Sequence, residues 1–194
     1  MNYKKAERYI IRRLEKELPE GLYYHGLHHT LDVLDAAIRL GKLEKVSKEE
    51  LILLKTAALY HDAGFIEKYF LNEEVGAKIA KKSLVKFGYT LKQVKIVCNT
   101  IMATRIEAKP ANKLEGIIRD ADLDYLGRDD FYPISNSLKK ELYERGLKYN
   151  AKQWKNIMID FLEKHIYYTR AARKIRDNRK RIYLNQLKKL KTPS

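Results

Sequence analysis

The sequence predicts an all-α helical bundle, and three observations lead to this prediction. Apolar residues recur every three or four positions through most of the chain, which is the spacing of one helix face. No clear run alternates apolar and polar residues as a half-buried strand does. Of the 194 residues, 45% are hydrophobic, so the chain can form one domain with a full core. We expect about seven helices.

The elements of the first half follow from this spacing. One apolar face is formed by Leu27, Leu31, Leu34 and Ile38. A second face ends at Gly88, a residue suited to a helix C-terminus, and contains Val75, Ile79, Leu84 and Phe87. Thr90 can cap the following helix, whose predicted inner face is formed by Leu91, Val94, Val97 and Ile101.

The second half continues the helical pattern. One helix stops near Gly127, and its apolar positions are Leu114, Ile117, Ile118, Ala121 and Tyr125. A short helix is indicated by Leu138 and Leu142. A long final helix is then predicted to run into the basic C-terminal segment, starting with Trp154, Ile157, Phe161 and His165. We interpret residues 1–194 as a single domain, with a core of about 20–130 and a helical extension of about 134–194.

Composition limits the classes of protein that the chain can belong to. Cys98 is the only cysteine, so an intrachain disulfide is impossible. No stretch has the continuous apolar character of a signal peptide or the length of a membrane span. These features favour a cytoplasmic protein without a membrane partner.

The basic C-terminal segment allows two interpretations. Between Arg170 and Lys191 there are ten basic residues and one acid, so this segment has a net charge of +9. That is more than half of the net charge of +15 of the whole chain. The segment can be a helix with a solvated outer face that packs through Ala172, Ile175, Ile182 and Leu187. Alternatively, its charge can bind nucleic acid in a salt-dependent manner, and the long helix could also mediate a homodimer.

The histidines carry the strongest chemical signal. On a helix, His25 and His29 are four positions apart and share a face, whereas His28 is rotated by about 100° towards solvent. A single histidine on an apolar face is as often a hydrogen-bonded core residue as a ligand. The segment "ALYHDAGF" adds His61 and Asp62 at the end of an apolar helix, where an unneutralised pair is costly to desolvate.

A divalent cation is the natural partner for these groups. Imidazole and carboxylate are ligands for such ions, and the backbone near Gly64 can let His61 and Asp62 approach one ion. A further carboxylate is offered by the segment "RDADLDYLG". Asp122 lies near the inner face of the predicted helix and is the preferred candidate, with Asp120 as the second choice.

These motifs resemble the HD-domain superfamily of metal-dependent phosphohydrolases. The matching segments are "HGLHHTLDV", "ALYHDAGF" and "RDADLDYLG", which lie between Tyr23 and Gly127. The first is similar to the histidine signature of class I cyclic-nucleotide phosphodiesterases. The arrangement of "DADL", "LGR" and "FLEKH" also resembles a group of stand-alone bacterial and archaeal HD proteins.

The resemblance implies a metal held by His29, His61, Asp62 and Asp122, with manganese, magnesium, zinc, nickel or iron as candidates. Asp62 would hold the attacking water or bridge to a second ion, and His25 would protonate the leaving oxygen. No histidine occurs in the segment after "HD", which favours one tightly held ion over a dinuclear centre.

The implied activity is hydrolysis of a small phosphorylated substrate, with a nucleotide as the favoured example. Lys68, Arg105 and Arg119 are candidates for contacts with phosphate, although a solvated surface charge is the more common role for any one such residue. Two other functions stay open. One is a nuclease or nucleic-acid-associated protein that uses the basic tail, and the other is a non-catalytic HD module that senses a ligand.

Overall fold

A computed structural model of the protein describes residues 1–190 and confirms the all-α prediction. The described residues contain no strand and form nine α-helices. These are α1 (Tyr3–Glu17), α2 (Leu27–Leu43), α3 (Lys48–Tyr60), α4 (Asn72–Leu84), α5 (Leu91–Met102), α6 (Lys113–Asp122), α7 (Phe131–Glu144), α8 (Ala151–Lys164) and α9 (Arg170–Lys189). The expectation of about seven helices was therefore too low.

Three short 3-10 turns interrupt the helical pattern of the described residues. They span Ala63–Ile66, Val85–Phe87 and Asp124–Gly127. At most two residues separate each of them from the end of the preceding α-helix, where short 3-10 turns are common. The prediction that a helix ends at Gly88 is confirmed, since this glycine has a φ of 74° after the second turn. Thr90 caps α5 as predicted, because its side chain accepts a hydrogen bond from the backbone N–H of Gln93.

Helix α3 is the centre of the main core. Seven of its last eight residues are buried, since α3 is packed between α1, α2, α5 and α6. Such burial on several sides explains why this segment is apolar nearly all round rather than on one stripe. The arrangement brings the C-terminal end of α3, where His61 follows, close to α2 and α6.

A second apolar cluster joins the C-terminal helices to this core. It contains Tyr125, Phe131, Trp154 and Tyr183, which come from the 124–127 turn, α7, α8 and α9. Beside it, the carboxylate of Asp124 is 1% exposed and receives hydrogen bonds from the guanidinium groups of Arg39 and Arg176. A buried carboxylate requires such partners, so the three side chains tie α9 to α2 through the turn.

The prediction of one long final helix from Trp154 into the basic tail was wrong. Helix α8 ends at Lys164, and α9 begins at Arg170 with Thr169 as its N-cap. The break has a tertiary cause. The backbone N–H groups of Tyr168 and Thr169 donate to the carboxylate of Asp120, each at 2.7 Å, and an uninterrupted helix could not offer them. Helix α9 itself is the long basic C-terminal helix that the sequence predicts.

Some residues assigned to inner faces are exposed instead. The structure confirms Ala172 and Leu187 as the packing side of α9, but Lys180 and Tyr183 complete that side. The exposed residues whose assignment is corrected are Leu31, Leu91, Ile157, Ile175 and Ile182. An apolar side chain at the margin of a face can stay in water at little cost, so periodicity alone does not place it.

No helix within residues 1–190 combines the length and the apolar character that crossing a membrane would require.

Candidate metal centre

His29 enters the centre from the first turn of α2. The ring is 6% exposed and lies 4.6 Å, centroid to centroid, from the ring of Tyr24. Its Nε2 atom is 3.1 Å from Oδ1 of Asp122 and 3.5 Å from Oδ2 of Asp62. His29 therefore meets carboxylates from two other parts of the chain.

His61 follows α3 at the point where the helix ends. Its Nδ1 atom lies 2.8 Å from the carbonyl oxygen of Ala58, and since a carbonyl can only accept, Nδ1 donates. In the neutral ring this leaves the lone pair on Nε2, which is the form that binds a metal. Nε2 points to the same carboxylates, at 3.2 Å from Oδ2 of Asp62 and 3.6 Å from Oδ1 of Asp122.

The four side chains converge on one point, and this convergence fits a divalent cation. Donor atoms of His29, His61 and Asp122 all lie within 4.8 Å of one another, and Asp62 Oδ2 lies beside both imidazoles. Ligands about 2.1 Å from one ion stand roughly 3.0–3.5 Å apart, which is close to the separations seen here. Within the described residues, the buried atoms His61 Nε2 and Asp62 Oδ2 have no hydrogen-bond partner. A bound cation would satisfy both atoms.

The electrostatics of the cluster keep its carboxyl groups ionised. Burial by itself raises the pKa of Asp122, but the hydrogen bond from His29 and the nearby imidazole of His61 outweigh burial and hold that pKa well below its usual range. Asp62 shows the same balance, and its pKa is lowered chiefly by His61 once burial is overcome. Ionised carboxylates and imidazole nitrogens that share one point form a donor set for a cation.

Asn72 fixes the orientation of Asp62. The amide Nδ2 of Asn72 donates to Oδ1 of Asp62 at 3.3 Å, which leaves Oδ2 towards the imidazoles. This contact requires Gly64, because a Cβ atom at residue 64 would stand 1.8 Å from the carbonyl oxygen of Asn72. Leu71, directly before Asn72, has a φ of 59°, the left-handed region that is strained for this residue. Sequence reasoning did not identify Asn72, although Gly64 was a signal of close packing after "HD".

His25 lies next to the cluster and is held by Glu141 of α7. Its Nδ1 atom is 2.5 Å from Oε1 of Glu141, and its ring stacks on Phe65 at 4.4 Å between centroids. The Glu141 carboxylate is fully buried and also accepts hydrogen bonds from the backbone N–H groups of Tyr24 and His25 and from the hydroxyl of Tyr69. Burial raises the pKa of Glu141, but His25 and these N–H groups lower it overall. Sequence reasoning missed Glu141, and no local signal pointed to it.

Asp122, rather than the second choice Asp120, is the acid that the structure brings to the cluster. Both oxygens of Asp120 accept backbone N–H groups of residues 168 and 169, and burial raises its pKa to about 6. Asp124 is occupied by Arg39 and Arg176. The three acids of one short segment thus have three different partners.

Two of the three residues predicted to contact phosphate are neighbours, since the guanidinium of Arg119 also donates to the backbone carbonyl of Arg105. Arg119 donates to the backbone carbonyls of Ala103 and Ile106, so its guanidinium braces the loop before α6. Arg105 is partly exposed and lies 3.4 Å from Oε1 of Glu74, and Lys68 is exposed. These contacts give Arg119 a role in the scaffold, and substrate contacts of the three residues stay predictions.

A cavity of about 290 Å³ opens beside His29. Three tyrosines supply aromatic surface, and Arg128 forms ion pairs with Asp32 and Asp130 on the polar side. The lining residues are Tyr23, Tyr24, His28, His29, Asp32, Tyr125, Arg128, Asp130, Pro133, Ile134 and Ser137. None of Lys68, Arg105 and Arg119 is among them.

The fold and the site together define a class: an all-α protein in which two histidines and two aspartates from three regions of the chain meet at one point. The HD domain family model matches residues 26–124, slightly more than half of the chain, and the protein belongs to that family. Members of the family are typically metal-dependent phosphohydrolases. The resemblance drawn from the three sequence motifs is confirmed.

A solved structure of similar fold is that of Bacillus subtilis YpgQ in complex with ADP. It is 18% identical to this chain, the match covers 97% of this chain and 94% of that one, and the TM-score is 0.69. At this identity the similarity concerns the fold. No curated protein sequence matches the chain significantly.

Proposed function

We propose that the protein is a divalent-metal-dependent phosphohydrolase that cleaves a phosphate ester or anhydride of a nucleotide or a similar small molecule. The observation that carries the proposal is the convergence of His29, His61, Asp62 and Asp122, with two buried atoms that lack a hydrogen-bond partner among the described residues. Such a set is costly to bury unless a cation completes it.

The four side chains would hold one ion by two imidazole nitrogens and two carboxylate oxygens. When bound, the cation would polarise a phosphate oxygen and lower the pKa of a bound water. The mixed nitrogen and oxygen donor set suits manganese, zinc, nickel or iron, and magnesium is compatible with its oxygen donors. A single tightly held ion is part of the proposal, because the histidines of the described centre are only His29 and His61, with His25 committed to Glu141.

Asp62 and His25 would handle the two protons of the reaction. Asn72 turns Asp62 so that Oδ2 faces the centre, where it can accept a hydrogen bond from the attacking water. Glu141 holds the Nδ1 proton of His25, so Nε2 is the atom that can exchange a proton with the leaving oxygen. The 5.9 Å between the ring centroids of His25 and His29 supports this role, because the two rings are neighbours.

A nucleotide is the proposed substrate class. The cavity beside His29 offers tyrosine rings to a base or sugar, and Asp32 and Asp130 offer acceptors to hydroxyl or amino groups. The ADP bound to YpgQ supports this choice, since that protein has a similar fold. Phosphate groups would then lie towards the four ligands, while the nucleoside occupies the cavity.

The test combines metal analysis with a substrate screen. The purified protein should contain or bind one equivalent of a divalent ion, and it should release phosphate or pyrophosphate from at least one nucleotide in the presence of manganese, magnesium, zinc or nickel. Asp62→Ala should abolish turnover while the thermal unfolding transition stays cooperative. Nucleotide binding without product in every metal would instead support a ligand-sensing module, and absence of metal binding would contradict the proposal.

A further inference from the structure

Helix α1 carries a basic groove that shares no residue with the histidine cluster. The groove has a volume of about 380 Å³. We define this α1 groove by four exposed cations and two half-buried rings, namely Lys5, Arg8, Arg12, Lys16, Tyr9 and Phe87. Only Phe87, which follows α4, lies within the region 26–124 that the family model matches. The other five residues belong to α1.

The four cations form a regular row. Their spacing of three or four residues places them one turn apart on one face of α1. With a rise of 1.5 Å per residue, the row from Lys5 to Lys16 is about 16 Å long. Charges arranged in this way match a ligand that carries several negative groups in a line, rather than one isolated anion.

The row is not neutralised by the protein. The only carboxylate that lines the α1 groove is Glu17, and Arg13 occupies both of its oxygens at 2.9 Å or less. Within the described residues, none of the four cations forms an ion pair with an acidic group, and Arg8 makes only a 3.4 Å contact with the carbonyl oxygen of Lys4. Like charges at this spacing repel one another, and a polyanion would relieve the repulsion.

Two aromatic rings add a surface on which a base can stack. The rings of Tyr9 and Phe87 lie 5.4 Å apart between centroids and line the same groove as the cations. Every nucleobase can stack on an aromatic side chain, so a cationic groove that also contains aromatic rings suits unpaired nucleotides. We infer that the α1 groove binds single-stranded nucleic acid, with phosphates along the row of cations and a base against Tyr9 and Phe87.

Helix α9, the basic C-terminal helix, is less suited to bind nucleic acid than the α1 groove. Several of its cations already have partners in the protein. Arg176 binds buried Asp124, Arg179 lies 2.7 Å from Asp129, and Lys188 lies 2.5 Å from Glu163. Lys180 is buried and donates to the carbonyl oxygen of His165. The observations therefore favour the α1 groove over α9 as the site that holds nucleic acid.

The test measures binding of a fluorescent 12-nucleotide single strand by anisotropy, with EDTA present so that the metal centre plays no part. Four phosphate contacts predict a slope of log K against log salt of about −2.8, which is a loss of about fifty-fold between 50 and 200 mM salt. Arg12→Gln should reduce the slope to about −2.1 and that loss to about eighteen-fold. Tyr9→Leu should weaken binding without changing the slope.

Matched controls separate this site from general charge and from the metal centre. Lys4→Gln removes the same charge from the same helix outside the groove, where the Lys4 side chain is 82% exposed, and should leave the slope as in the unmodified protein. Asp62→Ala should also bind as well as the unmodified protein, so a failure of the proposed hydrolase would not affect the result. The inference is overturned if the single strand does not bind at 20 mM salt, if Lys174→Gln in α9 lowers the slope and Arg12→Gln does not, or if the groove variants affect binding only to vesicles of anionic phospholipid.

Discussion

Oε1 of Glu141 lies 2.5 Å from Nδ1 of His25, although 116 positions separate the two residues in the chain. The carboxylate belongs to α7, outside the region 26–124 that the family model matches. It is fully buried and accepts four hydrogen-bond donors, two of them backbone N–H groups next to α2. The C-terminal part of the chain therefore contributes directly to the geometry beside the candidate metal centre.

Glu141→Gln should lower kcat by about 100-fold, because an amide cannot hold the Nδ1 proton of His25 as a carboxylate does. The loss should appear in kcat rather than in KM, whereas a merely structural role would lower the free energy of unfolding and leave kcat unchanged. Glu144→Gln is the matched control, since Glu144 is exposed one turn later and accepts from the hydroxyl of Tyr23. Equal rates in the two variants would contradict the role given to Glu141.

Asp122→Asn should impair metal binding, whereas Asp120→Asn should impair stability. Asp122→Asn should weaken manganese binding by more than about 100-fold in titration calorimetry, because it removes a proposed ligand. Asp120→Asn should retain metal binding but lower the free energy of unfolding by about 1–3 kcal/mol. The side-chain NH₂ group of this variant would face the backbone N–H of Tyr168 or Thr169, so two donors would meet and one hydrogen bond would be lost. Loss of metal binding in Asp120→Asn alone would show that the ligand has been misassigned.

Gly64→Ala should destabilise the protein by about 3 kcal/mol and weaken metal binding as well. The new methyl group would collide with the backbone of Asn72 and displace the amide that orients Asp62. Gly116→Ala in α6 is the control, because its Cβ would meet Tyr168 at an ordinary 3.4 Å and alanine favours a helix. Chemical denaturation and calorimetry of both variants measure the difference, and a neutral Gly64→Ala would rule out the close approach of residues 64 and 72.

His165 should make the protein less stable as the pH falls below 6.5. Burial, followed by the charges of Lys180 and Arg119, lowers the pKa of His165 in the folded protein from 6.5 to about 3. The unfolded chain thus binds a proton between these values that the folded chain excludes, so the free energy of unfolding decreases as pH falls through this window.

Replacement His165→Gln should remove this dependence. Its free energy of unfolding, measured by denaturant titration from pH 4 to pH 8, should fall less steeply than that of the unmodified protein, by up to about 1.4 kcal/mol per pH unit. Above pH 7 the two curves should run parallel. Curves that stay parallel down to pH 4 would mean that His165 takes up its proton equally in both states.

Much of the fold was predictable because helix formation depends on residues that lie close together in the sequence. The spacing of apolar residues, Thr90 as a cap and Gly88 as a helix end all depend on neighbours within a few positions, and the structure confirms them. The break after Lys164 has no such local signal in the sequence. It depends on the carboxylate of Asp120, which lies 48 positions before the N–H group of Tyr168 that it binds.

The residue types that make up the site were also visible in the sequence, since imidazoles and carboxylates in an apolar setting need a partner whatever the fold. The three motifs indicated the HD family, and periodicity favoured Asp122 among three neighbouring acids. Only the tertiary structure decided that Asn72 turns Asp62, that Glu141 holds His25 and that Asp120 and Asp124 serve the scaffold. The physical reason is that a helical period specifies which face a side chain occupies, whereas its partner depends on how separate helices pack against that face.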